Sequence, residues 1–95
     1  MKNFKLGVKV ENMTSSNGND IPNQFIITTK EQTIFQSYSS VIAVRDHKLN
    51  KTFLDSNTWD YSTTTGKYRN QFLCEDKKET ERKIKEGVYI LTDLN

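Results

Sequence analysis

The residues with the most chemical potential in this 95-residue chain lie between Asn57 and Leu73, NTWDYSTTTGKYRNQFL. The stretch holds the only tryptophan, two of the four tyrosines, three consecutive threonines and the one Gly-Lys pair. Ser62, Thr63 and Thr64 are good helix N-caps and poor interior residues, because their hydroxyls compete for backbone groups. A helix is therefore expected to start within that run and to continue to about Cys74. Free backbone N–H groups at its start, the hydroxyls there, Lys67 and Arg69 form a candidate site for the phosphate of a nucleotide-like small molecule. The segment is not a P-loop, since GxxxxGK[ST] requires glycine where Tyr61 stands and Ser or Thr where Tyr68 stands. The plainer reading, and the commoner outcome, is a capped helix whose Lys67 and Arg69 are solvated, as charged residues mostly are.

Trp59, Tyr61 and Tyr68, interleaved with Lys67 and Arg69, also have the makeup of a stacking surface for single-stranded nucleic acid. Against that, a small domain needs its large aromatics inside, which favours core burial for Trp59 and Tyr68. On a helix, Tyr61, Tyr68 and Phe72 share a face that would lie on a sheet, with Thr65 and Leu73 at its margins. Gly66 costs that helix roughly 1 kcal/mol against alanine. Close approach to a ligand would justify the cost; packing against Trp59 or a strand is the commoner use of a helix glycine.

Elsewhere the sequence offers no catalytic set. His47 is the only histidine and falls in a polar turn, and the lone Cys74 reads as a small apolar group on a helix flank. Asp46, Asp55, Asp60 and Asp76 show no spacing that marks an acid–base pair, and metal-ligand spacings are absent. The expectation is a non-enzyme with no cofactor and no metal.

The elements that position these residues follow from periodicity. Phe4, Leu6, Val8 and Val10 alternate with polar residues through Glu11, the pattern of a half-buried strand with one wet face. Residues 12–23 contain Gly18 and the only proline, Pro22, and read as a loop. Gln24–Thr29 and Thr33–Tyr38 form a hairpin around Lys30-Glu31-Gln32. Val41–Arg45 is nearly all apolar and should be central, and a short fifth strand covers Thr52–Asp55. These short connections imply an antiparallel meander. Asp76 and Glu79 have the form of a capping box for a charged surface helix, held down by Ile84 and Thr80 and ending at Gly87. Val88–Thr92 closes the chain as a last strand. The fold class is α+β: a mostly antiparallel sheet of five to six strands with two helices from the C-terminal half packed on it, in a single domain over residues 1–95.

Composition bounds the rest. Ten aromatic residues argue against disorder, despite a mean hydropathy of −0.76. A net charge of +2, with lysines spread along the chain, gives no field that implies nucleic acid or an anionic membrane. No apolar run approaches the roughly 18 residues of a spanning helix, and no secretion signal is visible. One cysteine suits a reducing compartment. These observations lead to the expectation of a cytosolic protein without membrane association.

Three segments, FQSYSSVIA (35–43), WDYSTTTGKYRNQFL (59–73) and KETERKIKEGVYILTDLN (78–95), resemble a family of small proteins encoded by bacteriophages and prophages, classed as a domain of unknown function. The resemblance covers about two thirds of the chain and implies the same order of strands, a Thr-initiated helix, a lysine-rich helix ending in glycine and a short strand. It brings no established activity and no catalytic residue. What it does imply is a phage product in the cytoplasm of the infected bacterium, an accessory factor that binds a host protein and inhibits or redirects it, defence systems included. For such a role the candidate surface is Tyr38, Trp59, Tyr61, Thr64, Lys67, Tyr68 and Arg69. Nucleic acid and a phosphorylated small molecule are the alternative ligands, and pairing of exposed strand edges across a homodimer is left open.

Overall fold

A computed structural model describes residues 7–95 of the chain. Six strands and two helices follow in the order β1 (Lys9–Thr14), β2 (Asp20–Thr28), β3 (Gln32–Ser37), β4 (Ser40–Asp46), β5 (Lys51–Asp55), α1 (Thr63–Leu73), α2 (Lys77–Lys85) and β6 (Tyr89–Thr92). The strands form one sheet in sequence order, antiparallel from β1 to β5. Only β6 runs parallel to its neighbour β5. That exception has a simple cause: a parallel return needs a long crossover, and the two helices supply it. The α+β architecture expected from the sequence is the one observed.

Registers set the two faces of the sheet. Ile26, Phe35, Ala43 and Leu54 lie opposite one another on successive strands, so their side chains share a face. Both helices cover that face. The core cluster consists of Met13, Phe35, Ile42, Ala43, Leu54, Leu73 and Tyr89, with Ile26, Trp59, Tyr68, Phe72 and Ile84 packed against it. Phe72 of α1 stacks on Phe35 with ring centroids 5.8 Å apart. A bulge in β4 explains its continuous apolar run. Phe35 pairs with Ala43 and Gln36 with Val41, so Ile42 is the extra residue and both Ile42 and Ala43 reach the core.

Two expectations fail at the N-terminal end. Phe4 and Leu6 lie outside the described residues, but Val8 and Val10 are 55% and 60% exposed, so no buried face includes them. The expected loop over 12–23 is shorter than composition suggested, because β1 continues through Thr14 and β2 begins at Asp20. Met13 is buried inside that misread segment, and Asn12 donates to the Ile21 carbonyl at 2.9 Å. Strand pairing outweighed the loop-forming residues.

Helix ends follow local chemistry. The Ser62 hydroxyl accepts from the Thr65 N–H at 3.1 Å, and α1 stops at Cys74, whose φ of 59° is left-handed. Cys74 is an exposed cap residue, not the apolar flank the sequence suggested. In α2 the Asp76 carboxylate accepts from the Glu79 N–H at 2.9 Å, half of the expected capping box. Glu79 itself turns to Arg82 instead of reaching back. Thr80 is fully buried and Ile84 packs on the core, which holds this charged helix as expected.

Candidate functional site

The chain between β5 and α1 carries Trp59, Asp60 and Tyr61 past the first turn of α1, and the arrangement there is built around Arg69. That side chain is 1% exposed, the reverse of the solvated cation expected from sequence. Its Nη1 donates to the Trp59 carbonyl at 2.8 Å and to Asp60 Oδ1 at 3.0 Å, and its Nη2 donates to Asn70 Oδ1 at 2.9 Å. The guanidinium also lies over the Trp59 ring, 5.2 Å from the centroid. Burial alone would raise the Asp60 carboxyl, but hydrogen bonds from Lys77 and Arg69 outweigh it and hold the group below the usual carboxylate range. Lys77, 2.7 Å from Asp60 Oδ2, is raised by the same pair.

Gly66 belongs to this arrangement. A methyl group built there would meet both Arg69 terminal nitrogens at 3.7 Å and Asp60 Oδ1 at 3.8 Å. These are ordinary contacts, so a side chain there would touch the ion pair without displacing it, and neither Trp59 nor a strand is what the glycine faces. Outside the pair lies a cleft of about 800 Å³ lined by Asp60, Ser62, Thr63, Gly66, Lys67, Arg69, Asn70 and Lys77. Asp60 already engages two of its three cations, which leaves Lys67, stacked 5.5 Å over the Tyr68 ring.

The structure thus divides the sequence-derived surface. Trp59 and Tyr68 are half-buried against the core, and Arg69 is buried. Tyr61 falls before α1 and is 51% exposed, so it does not share a sheet-facing stripe with Tyr68 and Phe72. Thr65 and Leu73 are buried at the centre of that face, not at its margins, and the Thr65 and Ser37 hydroxyls lie 3.2 Å apart. Thr64 and Lys67 are exposed. Tyr38 is exposed at the β3–β4 turn, one residue from Ser37, with a left-handed φ of 55°. The segment joins sheet to helix more than it presents a continuous binding surface.

A second buried polar cluster was not foreseen. Glu75 Oε1 accepts from Lys83 at 2.6 Å and from the Tyr89 hydroxyl at 2.8 Å, while Oε2 accepts from Thr80 at 2.6 Å. These bonds overcome the effect of burial and keep Glu75 below its ordinary value; burial and the adjacent carboxylate raise Tyr89. The cluster ties α2 to β6. His47 is exposed, with its Nε2 2.8 Å from the Thr33 hydroxyl. Among the described residues no group of three or more His, Cys, Asp or Glu side chains could hold a metal ion.

The largest feature missed from sequence is on the other side of the sheet. Val10 pairs with Ile27, Ile27 with Ile34, Ile34 with Val44, Val44 with Phe53, and Phe53 with Ile90. One apolar residue from each of the six strands therefore forms a continuous ladder on the face opposite the helices. Val44, at its middle, is 7% exposed although it lies outside the core cluster. On one side the flanking row is polar at Gln32, Asp46 and Lys51; on the other it mixes Asn12, Phe25, Gln36 and Val41. An uncovered face of an antiparallel sheet is ordinarily polar. The available signal was Phe25-Ile26-Ile27, where consecutive apolar residues must occupy both faces of a strand.

No curated protein and no solved structure matches the chain. A family model, described as a family of unknown function, matches residues 8–87, and the chain belongs to that family, DUF8033.

Proposed function

We propose that this chain is a non-enzymatic accessory protein of bacteriophage origin that binds a host protein in the bacterial cytoplasm and inhibits or redirects it. The phage origin rests on the resemblance of the three sequence segments. Docking rests on one observation, the six-residue ladder from Val10 to Ile90 on the face opposite α1 and α2. An apolar row on the sheet face away from the helices can serve as an interface core; its edge rung Val10 is 60% exposed, and the other five are half-buried or buried. The ligand it fits is a protein with a flat apolar surface. Nucleic acid would need accessible cations and ring faces, whereas Arg69 and Trp59 are turned on each other.

The test pairs affinity capture from bacterial lysate with a variant, Ile34→Thr with Phe53→Thr. Both changes place a β-branched residue in the strand and remove the apolar rungs on either side of Val44. The expected result is one captured host protein that rebinds in purified form with a negative heat-capacity change and is lost by the variant at unchanged circular dichroism. Capture of nothing, or equal binding by the folded variant, would refute the reading. A second reading, a phosphorylated small molecule, is favoured by the cleft at the start of α1 with Lys67 on its wall. Thermal shift against a nucleotide panel separates it, since a ligand at 100 times its dissociation constant adds roughly 2.7 kcal/mol.

A further inference from the structure

Strand β1 is an edge: among the described residues it pairs with β2 alone. It is also the most exposed strand, with every residue but Met13 open to solvent, and Val8 and Val10 are among the most exposed apolar side chains of the described chain. Open edges are a template for another strand, and charged residues usually guard them. Here the guards are Lys9 and Glu11, which lie two residues apart on the helix side and form an ion pair at 3.5 Å.

We infer that β1 is the docking edge for a second copy of this chain, paired antiparallel about a two-fold axis through Val10. The geometry is restrictive. A two-fold that sets two copies of one strand antiparallel must run perpendicular to the sheet, so each face of one copy continues the same face of the other. Opposed residues then share a parity, and the axis passes through a single residue position. Centred on Lys9, the pairing opposes two ammonium groups; centred on Glu11, it opposes two carboxylates. Centred on Asn12, it sets Lys9 against Ser15 and Glu11 against Met13. Only the axis at Val10 places Lys9 of each copy opposite Glu11 of the other, with Val10 against Val10 and Val8 against Asn12. The residues that would repel a foreign strand become two cross-strand ion pairs between copies, and charge selects the register.

The consequence reaches the open face. Val10 is the outermost rung of the ladder, so pairing there joins Ile90–Phe53–Val44–Ile34–Ile27–Val10 to its symmetry copy. The dimer has one apolar strip across twelve strands and both pairs of helices on the opposite side. This inference stands whether or not the strip binds a host protein.

The test is sedimentation equilibrium of the purified chain with three variants, folding being checked by circular dichroism. Wild type is expected to dimerise. Glu11→Lys turns both attractive pairs repulsive and weakens association by roughly tenfold or more, taking a few tenths to 1 kcal/mol for each pair. Adding Lys9→Glu to Glu11→Lys restores opposite charges across the axis and recovers the wild-type constant. In a Cys74→Ser background, Val10→Cys is expected to form an intermolecular disulfide on mild oxidation, since directly opposed strand residues have Cα separations within disulfide range. Ile34→Cys, at the middle of the ladder, is not. A monomer at all concentrations would overturn the inference. So would a dimer indifferent to Glu11→Lys, or one cross-linked through Ile34→Cys, which would mean stacking face to face.

Discussion

If Arg69 locks the β5–α1 connection against the helix, then Asp60→Ala should cost more than its partly exposed position suggests. Removing one partner of a buried ion pair costs about 3–5 kcal/mol, mostly because the other charge is left buried. Two features reduce that figure. The Asp60 side chain is 29% exposed, and Arg69 keeps the Trp59 carbonyl and Asn70 as acceptors. The expected loss is about 2–3 kcal/mol, which lowers the melting temperature of a domain this size by about 10–20 °C. Lys77→Ala should cost well under 1 kcal/mol, because that ammonium is 51% exposed and loses little when unpaired. Calorimetric melts of a double-mutant cycle check the cause. In an Arg69→Met background no buried charge remains, and Asp60→Ala should become nearly neutral. Additive costs within about 0.5 kcal/mol would refute the account. Acid sensitivity has a fixed sign. The folded carboxyl titrates below its ordinary 3.8, so its contribution is complete above that value and is lost as pH falls through the folded one. Asp60→Ala should flatten that part of the acid limb.

Three further outcomes follow from the same geometry. Gly66→Ala meets only ordinary contacts at 3.7 Å and has no left-handed backbone to strain, so it should raise stability by about 1 kcal/mol in thermal melts; if the cleft takes a phosphate, the same variant should weaken it. Cys74→Gly relieves the left-handed cap at φ 59° and should stabilise by up to about 1 kcal/mol, whereas Cys74→Val should destabilise. Glu75→Gln removes the carboxylate shared by Lys83, Thr80 and Tyr89, and should abolish the stability that wild type loses as pH falls below the ordinary 4.5 of that group, read from melts between about pH 5 and 2.

Period-two patterning and capping residues were enough to locate β2 to β5, both helices and β6, because each signal is local. The Thr-initiated start of α1 and the Asp76 cap were read correctly for that reason. Burial of Arg69 was not legible. Nothing in YRNQF separates a solvated arginine from one held by a carboxylate nine residues earlier, since the decision depends on Trp59 folding back over α1. The same limit applies to Glu75, whose partners Lys83 and Tyr89 meet only when β6 returns beside β5. Val8 and Val10 misled for a different reason. Alternation identifies a strand but not which face is covered, and Val8 and Val10 share the parity that points away from the helices.

That last difference separates two parts of the molecule. The aromatic and basic segment from Trp59 to Arg69 looked like a surface because it concentrates stacking and charge, yet those groups satisfy one another: Trp59 under the guanidinium, Asp60 against it, Lys77 outside. Arg69 Nε alone is buried there without a partner, and a seam with its other polar groups engaged has little left for a ligand. The sheet is the opposite case. Its strands are paired in sequence order from β1 to β6, its open face carries an apolar rung from each strand, and the outer edge of β1 has no strand against it among the described residues. In a chain this small the apolar residues that could enlarge the core are scarce, and a rung on every strand faces away from it. The inner rungs are half-buried and Val44 is 7% exposed, so they already contribute burial; the rung that stability alone does not explain is Val10, 60% exposed at the sheet edge.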